Sequence, residues 1–129
     1  MNGAMLAFVG DAYFDLRIRE VLIRSGVSKS GRFHRQTVFY VSAKAQASVL
    51  ERMVAEEFLS SEEFDVVRRG RNVKSNTVPK NTDVATYAKS TAFEALIGFL
   101  YLSERWERLD EIVTRSMEIR DNGAKGEKR

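Results

Sequence analysis

Two stretches decide the reading of this chain: LAFVGDAYFDL, Leu6 to Leu16, and TAFEALIGFLYL, Thr91 to Leu102. In the first, Met5, Phe8, Val9, Ala12, Tyr13 and Leu16 recur at helical spacing, and the opposite side carries Ala7, Phe14, Ile18 and Leu22 with a single acid, Asp11, among them. A helix that is apolar nearly all round is normally buried, so the pattern predicts an interior carboxylate. Such a group needs a partner, a cation or access to water. The second stretch repeats the situation: Glu94 has Ser90 and Thr91 before it and Ile97, Gly98 and Tyr101 after it. If the two helices pack face to face, the two acids meet, and their repulsion calls for something positive between them. A hard divalent cation suits this, and Mg²⁺ is commonly held by one or two carboxylates plus substrate phosphate. Plainer readings carry similar weight at this point. Asp11 could pair with Arg17 or Arg19, and Glu94 with Lys89 or a loop donor. Gly10 and Gly98 lower helix propensity, which predicts that each permits close helix contact.

Outward from these stretches the chain reads as all-α. The first helix should run from about Gly3 to Arg24 and stop at Ser25-Gly26, where glycine can adopt the left-handed capping conformation. A short helical piece is predicted around Arg32 to Tyr40. Ser42 is placed to cap a helix reading AKAQASVLERMVAEEF, and Ser60 with Glu63 forms a capping box that opens a helix to about Gly70. Arg71 to Asn81 has no periodicity, contains the one proline, Pro79, and predicts a loop. Thr82 or Asp83 opens the central helix, which reaches about Leu102. A last amphipathic helix follows, with Trp106, Leu109, Ile112, Val113 and Met117 on one side. These elements make one domain over residues 1–120, and the polar segment 121–129 is expected to fray.

Composition excludes several chemistries. The 129 residues suffice for one domain with a real core. There is no cysteine, hence no disulfide or thiolate metal site, and the single histidine, His34, argues against a histidine-built zinc centre. No apolar run is long enough to span a bilayer, and no export signal opens the chain, so a cytoplasmic protein without a membrane partner is expected. Net charge is only +3. The basic residues cluster in VRRGRNVKSNTVPK, Val67 to Lys80, which holds Arg68, Arg69, Arg71, Lys74 and Lys80 and no acid. By itself that run is most simply a solvated loop.

The residues around Asp11 and Glu94 resemble a known family. LAFVGDAYFDL is similar to the signature helix of the ribonuclease III family, centred on a Gly-Asp pair, and TAFEALIGFLYL is similar to its second motif, an acid followed by Ala-Leu-Ile-Gly. VSAKAQA (residues 41–47), RRGRN (68–72) and VPKNTDVATY (78–87) resemble the compact Mini-ribonuclease III branch, which lacks a separate double-stranded-RNA-binding domain. The resemblance implies the all-α nuclease-domain fold as a two-fold homodimer. It also implies Mg²⁺, replaceable by Mn²⁺, held by Asp11 and Glu94 as catalytic residues, and cleavage of double-stranded RNA to 5′-phosphate ends. Arg68, Arg69, Arg71 and Lys74, with Asn72 and Lys80, become the candidate RNA contacts. The implied substrate is the precursor of large-subunit (23S) ribosomal RNA, with a ribosomal protein on that substrate left open as a further partner. The chain departs from the larger enzymes at Ala7 and Thr91, where they carry two further acids. That departure keeps a rival in play, a non-catalytic homologue that binds structured RNA as a ribosome-assembly factor.

Overall fold

In a computed structural model of the chain, residues 1–26, 30–73, 78–80 and 82–127 are described. They form six helices: α1 (Gly3–Arg24), α2 (Ser30–Val41), α3 (Ala43–Ala55), α4 (Ser61–Arg71), α5 (Val84–Leu102) and α6 (Trp106–Glu127). No strand occurs among the described residues. Each helix start predicted from a cap is found where the capping chemistry puts it. Ser42 accepts from the Ala45 N–H, Asp83 from that of Thr86, and Ser60 and Glu63 bond reciprocally as a full capping box. Asn2 caps α1, and Gly26 follows its end with φ +86°.

Some bounds differ from expectation. The α3 helix ends at Ala55 instead of running through the acidic pair, because Glu57 takes a left-handed conformation (φ 54°) that turns the chain toward Ser60. The α4 helix continues through Arg71, so Arg68, Arg69 and Arg71 lie on its last turn, with Asn72 as C-cap. The α6 helix continues to Glu127, so the polar segment from Asp121, expected to fray, is helical that far. Its first residue is held: the Tyr40 hydroxyl donates to Asp121 at 2.5 Å.

The α5 helix is the axis of the fold, and α1, α3, α4 and α6 all pack on it. Ala92, Phe93, Ala95, Leu96, Ile97, Gly98 and Leu100 are buried along it, which is what a helix apolar around its circumference requires. The core joins Phe14, Ile18 and Leu22 of α1 to Val49, Leu50 and Met53 of α3 and to Leu109, Ile112 and Val113 of α6. Phe14 meets Phe93 edge to face at 5.0 Å.

The α1 helix corrects the expectation that it is buried all round. Leu6, Ala7, Gly10, Phe14, Ile18 and Leu22 face inward, whereas Met5, Phe8, Leu16 and Ile23 are exposed, Phe8 to 82%. The inward face is the one the closest-packed backbone can approach. Arginines tie α6 and its leading residue to the body: Arg108 spans to the buried Glu63 at 2.8 Å, Arg115 to Glu56, and Arg105, just before the helix, to Glu62. No helix among the described residues is long and apolar enough to cross a membrane.

Candidate active site

The site begins with two glycines. Helices α1 and α5 touch backbone to backbone where Gly10 meets Gly98. A Cβ built on Gly10 would lie 1.8 Å from the Glu94 carbonyl oxygen, and one on Gly98 would lie 1.9 Å from the Leu6 carbonyl oxygen. Side chains are absent from the crossing because the main chains fill it. The residue after Gly10 is Asp11, so the crossing carries the Asp11 carboxyl to Glu94, and the two lie within hydrogen-bonding reach. The sequence-based meeting of the two acids is therefore what the helices produce.

Their environments differ from each other. Asp11 is exposed, which corrects the expectation of an interior acid: it stands at the edge of the α1–α5 contact and reaches solvent. Glu94 is largely enclosed. Burial, the hydrogen bond to Asp11 and the charge of Asp11 push its carboxyl up to about 9, partly offset by the amide of Gln46. At neutral pH Glu94 therefore holds a proton in the bare protein, which a bound cation would displace.

The plainer readings can now be weighed. Arg17 bonds Glu20 and Asp110, each at 3.0 Å, and Arg19 bonds Asp15 at 3.0 Å. Lys89 bonds Glu51 at 2.5 Å. Each cation considered as a structural partner for Asp11 or Glu94 is thus engaged elsewhere. Two facing carboxylates, one desolvated and one open to solvent, fit a hard divalent cation whose remaining ligands are water and phosphate.

Ala7 and Thr91 occupy the positions where two further acids are expected in the larger enzymes. Ala7 is buried against Leu6, Val66 and Ala95, and the Thr91 hydroxyl donates to the Tyr87 carbonyl at 3.0 Å. The first position serves packing and the second serves the helix. No cluster of three or more histidine, cysteine, aspartate or glutamate side chains suited to a metal occurs among the described residues, so the site rests on two acids.

The candidate RNA contacts divide into three. Arg68, Arg69 and Arg71 are exposed on the final turn of α4, where their charge complements the helix C-terminus, and Asn72 is exposed beside them. Arg68 pairs with Asp65 at 2.8 Å across exposed surface, a contact of little strength that leaves it available. Lys80 is exposed beyond Pro79, and Lys74 lies outside the described residues. Sequence reasoning missed Gln46, which is 2% exposed on α3 beside Glu94. In AKAQASVLERMVA it reads as one more polar position, and only its place between the buried Ala45 and Ala47 could have hinted otherwise.

Residues 4–105 match the model of the Ribonuclease III domain. The chain is 48% identical over 113 residues to Mini-ribonuclease 3 of Enterococcus faecalis, covering 88% of this chain and 86% of the relative. It is 45% identical over 119 residues to Mini-ribonuclease 3 of Staphylococcus aureus, covering 92% of this chain and 89% of that one. Among solved structures, a protein of Fusobacterium nucleatum superposes with a TM-score of 0.80 at 29% identity, over 91% of this chain and 92% of the other.

Proposed function

Because this chain belongs to the ribonuclease III family and is an endoribonuclease, we propose that it cleaves double-stranded RNA with Mg²⁺, or Mn²⁺ in its place, held by Asp11 and Glu94. The observation that carries this reading is the facing pair itself, one acid desolvated and one open to solvent, set by the glycine crossing. The bound cation supplies charge neutralisation at the scissile phosphate and an activated water. Asp11, at the solvent edge, faces an arriving RNA backbone. Glu94, enclosed behind it, gives up its proton when the site is loaded and keeps its carboxylate turned to Asp11. Hydrolysis adds water to phosphorus, breaks the bond to the 3′-oxygen and leaves a 5′-phosphate and a 3′-hydroxyl.

Arg68, Arg69, Arg71 and Lys74, with Asn72 and Lys80, contact phosphates of the duplex, because A-form RNA offers side chains its backbone and shallow groove. The protein works as a homodimer with one site for each strand. The exposed apolar stripe of Met5, Phe8 and Leu16 on α1 supports this, being a surface that a second copy would cover. The substrate we infer is the 23S ribosomal RNA precursor in the cytoplasm, with a ribosomal protein bound to that RNA as a further partner.

A second reading, a non-catalytic assembly factor binding structured RNA, is favoured by Ala7 and Thr91 alone. One gel assay separates them. Wild-type protein with a structured RNA duplex and Mg²⁺ should cut both strands to 5′-phosphate ends, and EDTA should stop it. Asp11→Asn should abolish cutting while binding persists. Binding without cutting by the wild type, across Mg²⁺ and Mn²⁺, would favour the assembly factor, and unchanged cutting by Asp11→Asn would remove Asp11 from the mechanism.

A further inference from the structure

Gln46 sits on the face of α3 that packs on α5, flanked by Ala45 and Ala47 and 2% exposed. A buried glutamine carries two N–H donors and an acceptor oxygen, and each must find a partner or weaken the fold. The side-chain amide hydrogen-bonds the Glu94 carboxyl, and because Oε1 has no partner, the NH₂ is the end that donates there. With the NH₂ so engaged, Oε1 is left buried and without a hydrogen-bond partner among the described residues. An orphaned amide oxygen weakens the fold, because it has given up its water without replacing it. A leucine or methionine of similar size would avoid that cost.

The donor that Oε1 lacks has a natural source. A cation held by only two carboxylates keeps several of its waters, because Mg²⁺ gives up its hydration shell reluctantly. Those waters point their hydrogens outward and need acceptors around the site. Asp11 and Glu94 serve on their own sides, whereas the positions of two further acids are Ala7 and Thr91, the former apolar and the latter with its hydroxyl donated to Tyr87. Groups just outside the ligands orient them and tune affinity for the ion.

We propose, resting on the cation reading above, that Gln46 is a positioning residue of the nuclease site: its N–H holds the Glu94 carboxylate in the orientation that receives the cation, and its Oε1 accepts a hydrogen bond from a water of the hydration shell that enters with it. The same side chain thereby compensates in part for the missing acids. It is unsatisfied in the bare protein and satisfied in the loaded one, so it favours the loaded state on both ends of the amide.

The test is Mn²⁺ binding, by calorimetry or by the electron-spin signal of free Mn²⁺, on full-length Gln46→Leu and Gln46→Met, alongside melting in EDTA and in Mg²⁺. Both variants should melt in EDTA at or above the wild-type temperature, since the orphaned oxygen is gone. Both should bind Mn²⁺ about tenfold or more weakly, the range seen when groups just outside a metal's ligands are lost. Their gain in melting temperature on adding Mg²⁺ should shrink, and the Mg²⁺ needed for half-maximal cleavage should rise. Mn²⁺ affinity equal to wild type would overturn the proposal, as would failure of both variants to fold in EDTA, which would make Gln46 a packing residue. Asp11→Asn and Glu94→Gln keep the two readings apart. If those variants lose Mn²⁺ and the Gln46 variants do not, this inference fails alone; if they bind Mn²⁺ like the wild type, the cation reading itself fails.

Discussion

At Gly10 a methyl group would have to share space with the Glu94 carbonyl oxygen, 1.8 Å away, and that oxygen belongs to the backbone of the central helix. No rotamer change relieves such a clash; α1 and α5 must separate. We expect Gly10→Ala to destabilise by about 3 kcal/mol or more, a fall of roughly 10 °C in melting temperature, and to lose cleavage with the fold. Gly123, in α6 with open space around it, gives the contrast: Gly123→Ala should stabilise by up to about 1 kcal/mol through helix propensity alone. Thermal melts of the two variants decide whether contact or propensity governs each position. At this scale the sequence was informative where a residue contradicted its surroundings. Asp11 and Glu94 stood out as acids among apolar neighbours, and Gly10 and Gly98 as helix breakers within helices. Gln46 contradicted nothing in its local pattern, because a glutamine in a half-polar helix has many ordinary explanations and only the third dimension shows which face it occupies.

Among the elements, α6 depends most on charged side chains for its seat, and Arg108 is the strongest of them. It bonds Glu63 through two nitrogens at 2.8 and 2.9 Å and also donates to the Phe58 carbonyl, while Glu63 holds the Ser60 N–H that opens α4. Burial pushes the Glu63 carboxyl up, and the Arg108 and Ser60 bonds outweigh it, leaving the group below the usual carboxylate range. The stability this contributes is present above the ordinary glutamate value and is lost as pH falls through the lowered one. Arg108→Ala should therefore destabilise by roughly 2–4 kcal/mol near neutrality, and the gap to wild type should narrow as pH falls below the ordinary glutamate value. Melting curves against pH would show it; a gap independent of pH would assign the loss instead to the Arg108 guanidinium's seat over the Phe58 ring, 4.6 Å from its centroid. The last turn of α4 supports a different measurement. Arg69→Ala and Arg71→Ala should each weaken duplex-RNA binding and lower the steepness of its salt dependence by about one unit on logarithmic axes. Unchanged slopes would make these arginines plain surface residues. Helix starts were legible because a capping side chain is a local, one-residue signal. Helix ends were less so: α3 stops early through the left-handed Glu57, and α4 takes in Arg71, where the sequence predicts the loop to begin.

For the molecule as a whole, the open question in the sequence was which side of α1 turns inward, since both sides are apolar. Packing chose the side with Gly10, where backbones can touch, and left Phe8 at 82% exposure. The proposed homodimer gives that surface a partner, and Phe8→Glu tests it with little risk to the fold, because the side chain is mostly free of its own protomer. Sedimentation should show a dimer for the wild type and a shift toward monomer for the variant; a monomeric wild type would leave the stripe to some other partner. The α1–α5 crossing, finally, sets a clock. Backbone amides pressed between two helices at the centre of a small domain exchange their hydrogens only when the entire structure opens, so those of Gly10 and Gly98 should be among the slowest in deuterated water. A site hung on that crossing has no partly melted form of its own. On heating, catalytic loss should coincide with global unfolding instead of preceding it.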